Sequence, residues 1–446
     1  MESNLVKARS TIVWILAVVC AFTAVWWIER QSGKELIARP AERASAAAAA
    51  PVLAASPDLP AIPVPRALTP QEQQWARLAW SYFEKNTDAA TGLTPSVEGF
   101  HGATLWDAAS SMLALIAAHD LGLVDTRGFD QRLGRILVSL ERMPLYGRQL
   151  PNKAFDVRTL AMTDYHNKAS ATGIGWSAID IGRLLVPLNV IVWKHPLHTP
   201  AARRLLARWD TAALVRDGEL LGMQVNANGS AQAVQEGRLG YEQYAARTLA
   251  LLGLDVEAAA DWRRHLQLVE VEGVRICADA RPQQRFGAPN FVVSEPYILT
   301  GLEFGWNRQA RECAWRVYQA QERRFRRTGV PTAMSEDHVD QAPFFVYGSV
   351  WSGGRPWATV TETGEDAEAL RNLSVKAAFG WHALFRTDYT SQLMRTVAPL
   401  NDPARGWYAG LYEEGTRPNK ALTANTNAVV LESLAYIARG PALQYR

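Results

Sequence analysis

Thr104-Leu-Trp-Asp-Ala-Ala-Ser-Ser-Met-Leu-Ala-Leu-Ile-Ala-Ala-His-Asp-Leu-Gly122 reads as one helix with its own start and stop. Leu105, Ala108, Met112, Leu115 and Ile116 recur at helical spacing. Thr104 followed three residues later by Asp107 is a capping-box pattern, and Gly122 fits the stop. The same grammar appears upstream, where Thr69 precedes Pro70 at the first helical position and Trp75, Leu78, Ala79 and Tyr82 share a face through Asn86. Further helices are predicted near 127–142, 170–191, 199–217, 241–253, 257–265, 296–304, 308–327, 365–384, 387–396 and 423–438. Strand-like pieces are short, at 269–277, 344–350 and 359–363. About twelve helices with long loops, and no βαβ alternation, predict an all-α fold. The expected architecture is an (α/α)6 toroid of helical hairpins, with short β pieces in the loops and a cleft built by the loops at one end.

Outside that domain the chain carries a different signal. Residues 11–28 form one uncharged apolar stretch preceded by Lys7 and Arg9, and about 18–20 such residues cross a bilayer as a helix. The positive flank keeps 1–10 in the cytoplasm and sends the remainder across, with Trp26 and Trp27 as interfacial anchors. A small-residue cleavage site comes only near Ala44–Ala46, well past the run, which favours an uncleaved signal anchor over a signal peptide. Residues 29–67, rich in Ala and Pro and including Pro60 to Pro65, read as an extended periplasmic linker. The domain is expected to occupy 68–446.

Composition excludes several classes. With 47 basic and 44 acidic residues the net charge is +3, and no basic run lies outside one helical segment near 311–327, so nucleic acid is not an expected partner. No Cys/His zinc spacing and no Gly-rich phosphate loop occur, and neither a metal nor a cofactor is called for. Cys277 and Cys313 could pair in an oxidising compartment. Sixteen Trp, thirteen Tyr and thirteen Phe stand out because many lie beside Gly, Pro, Asp or Asn. Loop aromatics offer flat apolar platforms of the kind sugar rings use, although packing of Trp in the core explains the same composition.

Five segments combine acids, amides and aromatics. Trp106 and Asp107 open the helix quoted above; Asp107 either lines a site or only caps. Asp164, Tyr165 and His166 precede a small-residue loop that leads into a helix. Glu236, Tyr241, Glu242 and Tyr244 form the third group; an acid between aromatic rings is desolvated, which raises its pKa toward what a general acid needs. Glu336, Asp337, His338 and Asp340, followed by Tyr347 and Trp351, make the densest polar cluster. Trp407 and Asn425 belong to the fifth group, Asn425 as a reader of hydroxyls or as a helix cap.

The segments Leu105-Trp-Asp-Ala108, Glu236-Gly-Arg-Leu-Gly-Tyr-Glu-Gln-Tyr-Ala-Ala-Arg247, Ser335-Glu-Asp337 and Thr423-Ala-Asn-Thr-Asn427 resemble the bacterial family of domain of unknown function 3131, over most of 68–440. That family is similar to glucoamylase-like (α/α)6 domains associated with β-1,2-glucan hydrolysis and cyclic glucan synthesis. Those carry a Ser/Thr-Pro-Thr-Asn-Ile-Gly run, for which Ser170-Ala-Thr-Gly-Ile-Gly175 here lacks the Pro and the Asn. The resemblance implies acids at positions like Glu242 and Glu336.

Together these readings predict a single-pass protein of the bacterial inner membrane whose periplasmic domain acts on an oligo- or polysaccharide. A glycoside hydrolase needs paired carboxyls. Glu242 is expected as general acid, with Glu336, Asp337 and Asp340 supplying the base. Trp106, Asp107, Asp164, Tyr165, Glu236, Tyr241, Tyr347, Trp351, Trp407 and Asn425 are expected to bind sugar. Two alternatives stay open: a non-catalytic glycan-binding partner of a membrane polysaccharide synthase, and a polysaccharide lyase using Tyr165, His166 and Arg158.

Overall fold

A computed structural model describes residues 53–226, 228–282 and 290–443, and among these described residues twelve α-helices alternate between an inner and an outer position. The outer helices are α1 (Pro70–Asn86), α3 (Thr126–Arg142), α5 (Thr199–Ala207), α7 (Glu257–Ala260), α9 (Arg308–Thr328) and α11 (Asp388–Val397). The inner ones are α2 (Leu105–Asp120), α4 (Ala178–Lys194), α6 (Tyr241–Leu251), α8 (Glu295–Leu299, running into a π-helical turn at Thr300–Phe304), α10 (Val375–Phe385) and α12 (Ala424–Arg439). Each inner helix packs on the next, and α12 closes the ring on α2, while every outer helix packs on an inner neighbour. The expected toroid of helical hairpins is what the chain forms.

Burial explains which helix goes where. Inner α2 buries thirteen of its sixteen residues, whereas outer α3 buries six of seventeen along one stripe. Two glycines let inner helices approach closely. A Cβ on Gly182 of α4 would stand 2.6 Å from that of Ala245 on α6, and one on Gly380 of α10 would meet Ile298 of α8 at 2.4 Å.

Connections divide by length. The links that leave inner helices, 121–125, 195–198, 252–256, 305–307 and 386–387, are short. Those that enter inner helices, 87–104, 143–177, 208–240, 261–294, 329–374 and 398–423, are long and carry seven small antiparallel sheets among the described residues. Because all inner helices run the same way, the long loops and the six inner N-termini gather at one end.

Several expected boundaries move. The helix predicted from 170 begins at Ala178, because Gly173 and Gly175 at φ 78° and 99° keep the preceding segment in a loop. The one predicted over 199–217 ends at Ala207, giving way to a 3₁₀ turn and the hairpin Glu219–Val225/Ala231–Gln235. The one predicted from 365 begins only at Val375, after the strand Asn372–Ser374. The extended linker expected through residue 67 is already docked from Leu53 onward. Ser56 bonds Glu312, Asp58 bonds Trp315 and Gln319, and the carbonyls of Ala54, Pro60 and Val64 accept from Arg316, Arg311 and Arg386. Apart from one turn, in which Leu59 N–H donates to Ser56 O at 3.3 Å, the strap is extended and Pro-rich, which leaves its carbonyls free for those guanidinium groups. The anchor read at 11–28 lies outside the described residues, and no described helix is long and apolar enough to cross a membrane. Cys277 and Cys313 form a disulfide that ties the hairpin Leu266–Val271/Val274–Asp279 to α9.

Candidate active site

The first turn of every inner helix carries a polar side chain into the long-loop end. These are Asp107 on α2, Asp180 on α4, Glu242 on α6, Glu295 on α8, Lys376 on α10 and Asn425 on α12. Thr104, Ser177, Ser374 and Thr423 cap four of these helices through their hydroxyls. Five acids and amides at six converging N-termini match the partial positive charge that aligned peptide dipoles leave there.

Glu295 is the post of one half of the site. It accepts from Trp106 Nε1 at 3.1 Å and Asn425 Nδ2 at 2.9 Å, and it pairs with the Lys376 ammonium. Lys376 also stands 3.9 Å from Asp337. Burial alone would lower the pKa of this lysine, but Glu295, Asp337 and Glu336 together raise it. Asp337, 2% exposed, has no hydrogen-bond partner on either carboxyl oxygen, and burial pushes it up to about 8 against the pull of Lys376. Burial likewise pushes Glu336 up to about 7, against Lys376. Beneath them Arg183 lies fully buried, its guanidinium 4.7 Å from the Trp106 ring and paired with Glu303 at 2.5 Å and Glu432 at 3.3 Å.

The other half is built around α4. Glu236 accepts from the backbone N–H groups of Ala178 at 2.6 Å and Ile179 at 3.3 Å, so its carboxylate seals the N-terminus of that helix. Asp180, one turn in, is therefore not needed as a cap. Unlike Asp107, which bonds back to Thr104 N–H and hydroxyl in a closed capping box, it makes no hydrogen bond of that kind. Burial and then the neighbouring Glu236 carboxylate push Asp180 up to about 8, while Lys153 works in the other direction. Tyr165 lies against this pair. It stands 52% open to solvent on the long loop 143–177. Burial raises its pKa first, then the charges of Asp180, Glu236 and Glu362.

Tyr347 joins the halves. It is the cross-strand partner of Glu336, and burial, then Glu336, Glu362, Asp180 and Glu295, raise its pKa. Acids from α4, α8 and the 336–348 hairpin thus act on one ring.

The remaining expected residues fall elsewhere. Glu242 is clamped: Arg281 bonds its two oxygens at 2.5 and 3.3 Å, and Gln235 donates to one of them at 3.1 Å. Arg281 also binds Asp279; burial opposes its charge, but the hydrogen bonds to Asp279 and Glu242 outweigh that and raise its pKa. Burial raises the Glu242 pKa despite this pairing, but its oxygens are already committed. Asp340 accepts from the Tyr412 hydroxyl at 2.7 Å and from Lys420 N–H at 2.9 Å, which pins two strands together. Asp164 accepts from the N–H groups of His166 and Lys168, holding the turn that presents Tyr165. Tyr241 packs edge-on to Trp106 at 5.5 Å, and its hydroxyl is enclosed without a hydrogen-bond partner. Trp351 sits in a small sheet beside Val292 and Pro356, partly packed on the core. Trp407 is wholly buried among Phe379 and Trp75, so it is a core residue and not a platform for sugar.

Sequence reading missed Asp180, Glu295 and Lys376. Asp180 did carry a signal, because Ser177 followed by Asp180 repeats the spacing of Thr104 and Asp107. Among the described residues no group of His, Cys, Asp and Glu has the makings of a metal site. A cavity of about 400 Å³ lies at the opposite end of the ring, lined by Ile116, Trp193, Leu302 and Tyr436, away from these acids.

Solved structures share this architecture. A glucoamylase-like protein from Bacteroides caccae superposes with a TM-score of 0.61 at 14% identity, over 83% of this chain and 93% of that one. The endo-β-1,2-glucanase from Chitinophaga pinensis, in complex with sophorotriose and glucose, gives 0.59 at 11% identity over 84% and 94%. An endo-β-1,2-glucanase mutant from Talaromyces funiculosus, in complex with β-1,2-glucan, gives 0.56 at 13% identity over 84% of each chain. At such identities the likeness establishes the fold. No curated protein matches the chain. The family model described as protein of unknown function (DUF3131) matches residues 74–440, so the chain belongs to the DUF3131 family.

Proposed function

We propose that the domain is a glycoside hydrolase acting on a β-glucan, with Asp180 as general acid and Glu336 as the base that activates water. The observation that carries this reading is Tyr347, the cross-strand partner of Glu336. Burial raises the pKa of Tyr347 first, then Glu336 and Asp180 among other acids, while burial pushes Asp180 up to about 8 and Glu336 up to about 7. Glycosidic cleavage requires one carboxyl that is protonated at working pH and a second that is ionised. Burial, reinforced by Glu236, keeps the proton on Asp180, and Lys376 favours the charged form of Glu336 against its burial. The glucanase folds above, and the saccharides named with two of them, support the substrate class. Excess carboxylate along the cleft suits a neutral glycan and repels the uronate that a lyase would need.

The test is release of reducing ends from β-1,2-glucan and other β-glucans. Binding without cleavage across the panel would replace the hydrolase by the glycan-binding reading. The pH profile should be a narrow bell that rises as Glu336 ionises near 7 and falls as Asp180 loses its proton near 8. A flat profile over pH about 5–9 would remove both assignments. Glu242→Gln should keep hydrolysis and lower stability by about 1.5–3 kcal/mol, the worth of a charge-assisted hydrogen bond. Lost hydrolysis at unchanged stability would restore Glu242 as the acid.

The placement of the domain in the periplasm, tethered through residues 11–28, belongs to the same proposal. The Cys277–Cys313 disulfide supports it, since such bonds persist in oxidising compartments. A protease-protection assay on spheroplasts checks the orientation.

A further inference from the structure

The hairpin that supplies Glu336 also carries a row of rings leading away from it. Register pairs Glu336 with Tyr347 and His338 with Phe345, so these four side chains share one face. Val346, on the other face, is buried with Val339 and Tyr412. Phe291 stacks on Tyr347 at 4.0 Å and 2° between planes. Tyr347 meets Phe345 at 5.3 Å, and Phe345 meets His338 at 5.2 Å. All four rings are partly open to solvent, which a core cluster would not be.

Phe344 occupies the turn just before Phe345. It is 63% exposed and holds φ at 69°, a conformation that costs a non-glycine residue about 1–2 kcal/mol. Its backbone is fixed there, with its N–H bonded to Gln341 O at 2.8 Å and its carbonyl to Val339 N–H at 3.0 Å. Glycine would satisfy that turn without strain, and an exposed ring gains nothing from the core. Among the described large side chains that stand exposed, two are aromatic, Tyr165 and Phe344, and both lie on long loops at the cleft end. Strain at an exposed aromatic next to a candidate site points to a ligand that repays it.

We propose that the face bearing Tyr347, Phe345 and His338, together with the exposed Phe344 in the adjoining turn, forms outer glycan subsites, so that the substrate is a polymer running beyond the acids. This rests on the glycan reading of the same cleft. The experiment compares the full-length protein with Phe344→Gly and Phe344→Trp by affinity electrophoresis in gels containing polymeric β-1,2-glucan, a readout that needs no catalysis. Phe344→Gly should weaken retention about tenfold, as one aromatic stacking contact allows, while its melting temperature holds or rises. Phe344→Trp should keep retention. Where hydrolysis is measurable, Phe344→Gly should raise KM for the polymer and leave cleavage of the shortest oligosaccharides unchanged. Unaltered retention of Phe344→Gly, or no retention of the parent protein, overturns the proposal. Retention that depends on Phe344 without any hydrolysis supports the subsites and refutes only the hydrolase.

Discussion

Asp180→Asn is expected to abolish release of reducing ends while making the protein more stable at pH 8. The two effects share one cause. Asp180 is crowded by burial and by Glu236, so its pKa rises from 3.8 to about 8 in the folded state. A group with a raised folded pKa contributes stability that is fully present below its unfolded value and is lost as pH climbs through the folded value. At pH 8 the wild-type domain has lost that contribution, and an uncharged amide avoids the loss. The Ser177 hydroxyl and Glu236 still cap α4, so the fold does not depend on this carboxyl. Removing a general acid costs about 10²–10⁴ in rate. Parallel measurement of melting temperature and hydrolysis at about pH 5, inside the window between the two Asp180 values, and at about pH 8, its upper edge, decides the matter. Falling stability together with falling activity would make Asp180 a structural residue.

Arg183→Met should be the most damaging single substitution in the ring. The guanidinium is completely buried and binds Glu303, Glu432 and the Tyr244 hydroxyl, with Trp106 over it. Burial disfavours its charge, but Tyr244, Glu303 and Glu432 raise its pKa well above the ordinary value. Burial also pushes Glu432 well up and Glu303 up, each against the pull of Arg183. Deleting one member of a buried pair leaves the other uncompensated, at about 3–5 kcal/mol. Urea unfolding measures that loss. The double variant Arg183→Met with Glu303→Gln removes both charges and should recover most of it. Equal midpoints for the parent and Arg183→Met would show that the hub adds nothing to stability. Trp106 rests on this guanidinium and bonds Glu295, so the site should loosen along with the core.

Much of this was legible in the chain because helix signals are local. Thr104 with Asp107 marked α2, Thr69 with Pro70 marked α1, and their spacing carried the alternation of helices that makes a ring. Glu336, Asp337 and Tyr347 were legible as a cluster because the short stretch that holds them folds back as one hairpin, pairing Glu336 with Tyr347 and Asp337 with Val346. Capping patterns were less informative about chemistry. Ser177 with Asp180 looks like Thr104 with Asp107, yet one acid closes its box and the other does not.

By itself, then, the sequence determined the helical ring, the end at which its long loops collect, and the family, since those follow from periodicity, caps and short-range motifs. Tertiary structure alone decided which carboxyls remain available. Glu236 reaches α4 from 58 residues away in the chain, and Arg281 reaches Glu242 across 39. Trp407 met its core partners the same way, through contacts that no local pattern encodes. A carboxyl's chemistry is set by what neutralises or crowds it, and that neighbour is fixed only when distant segments fold together.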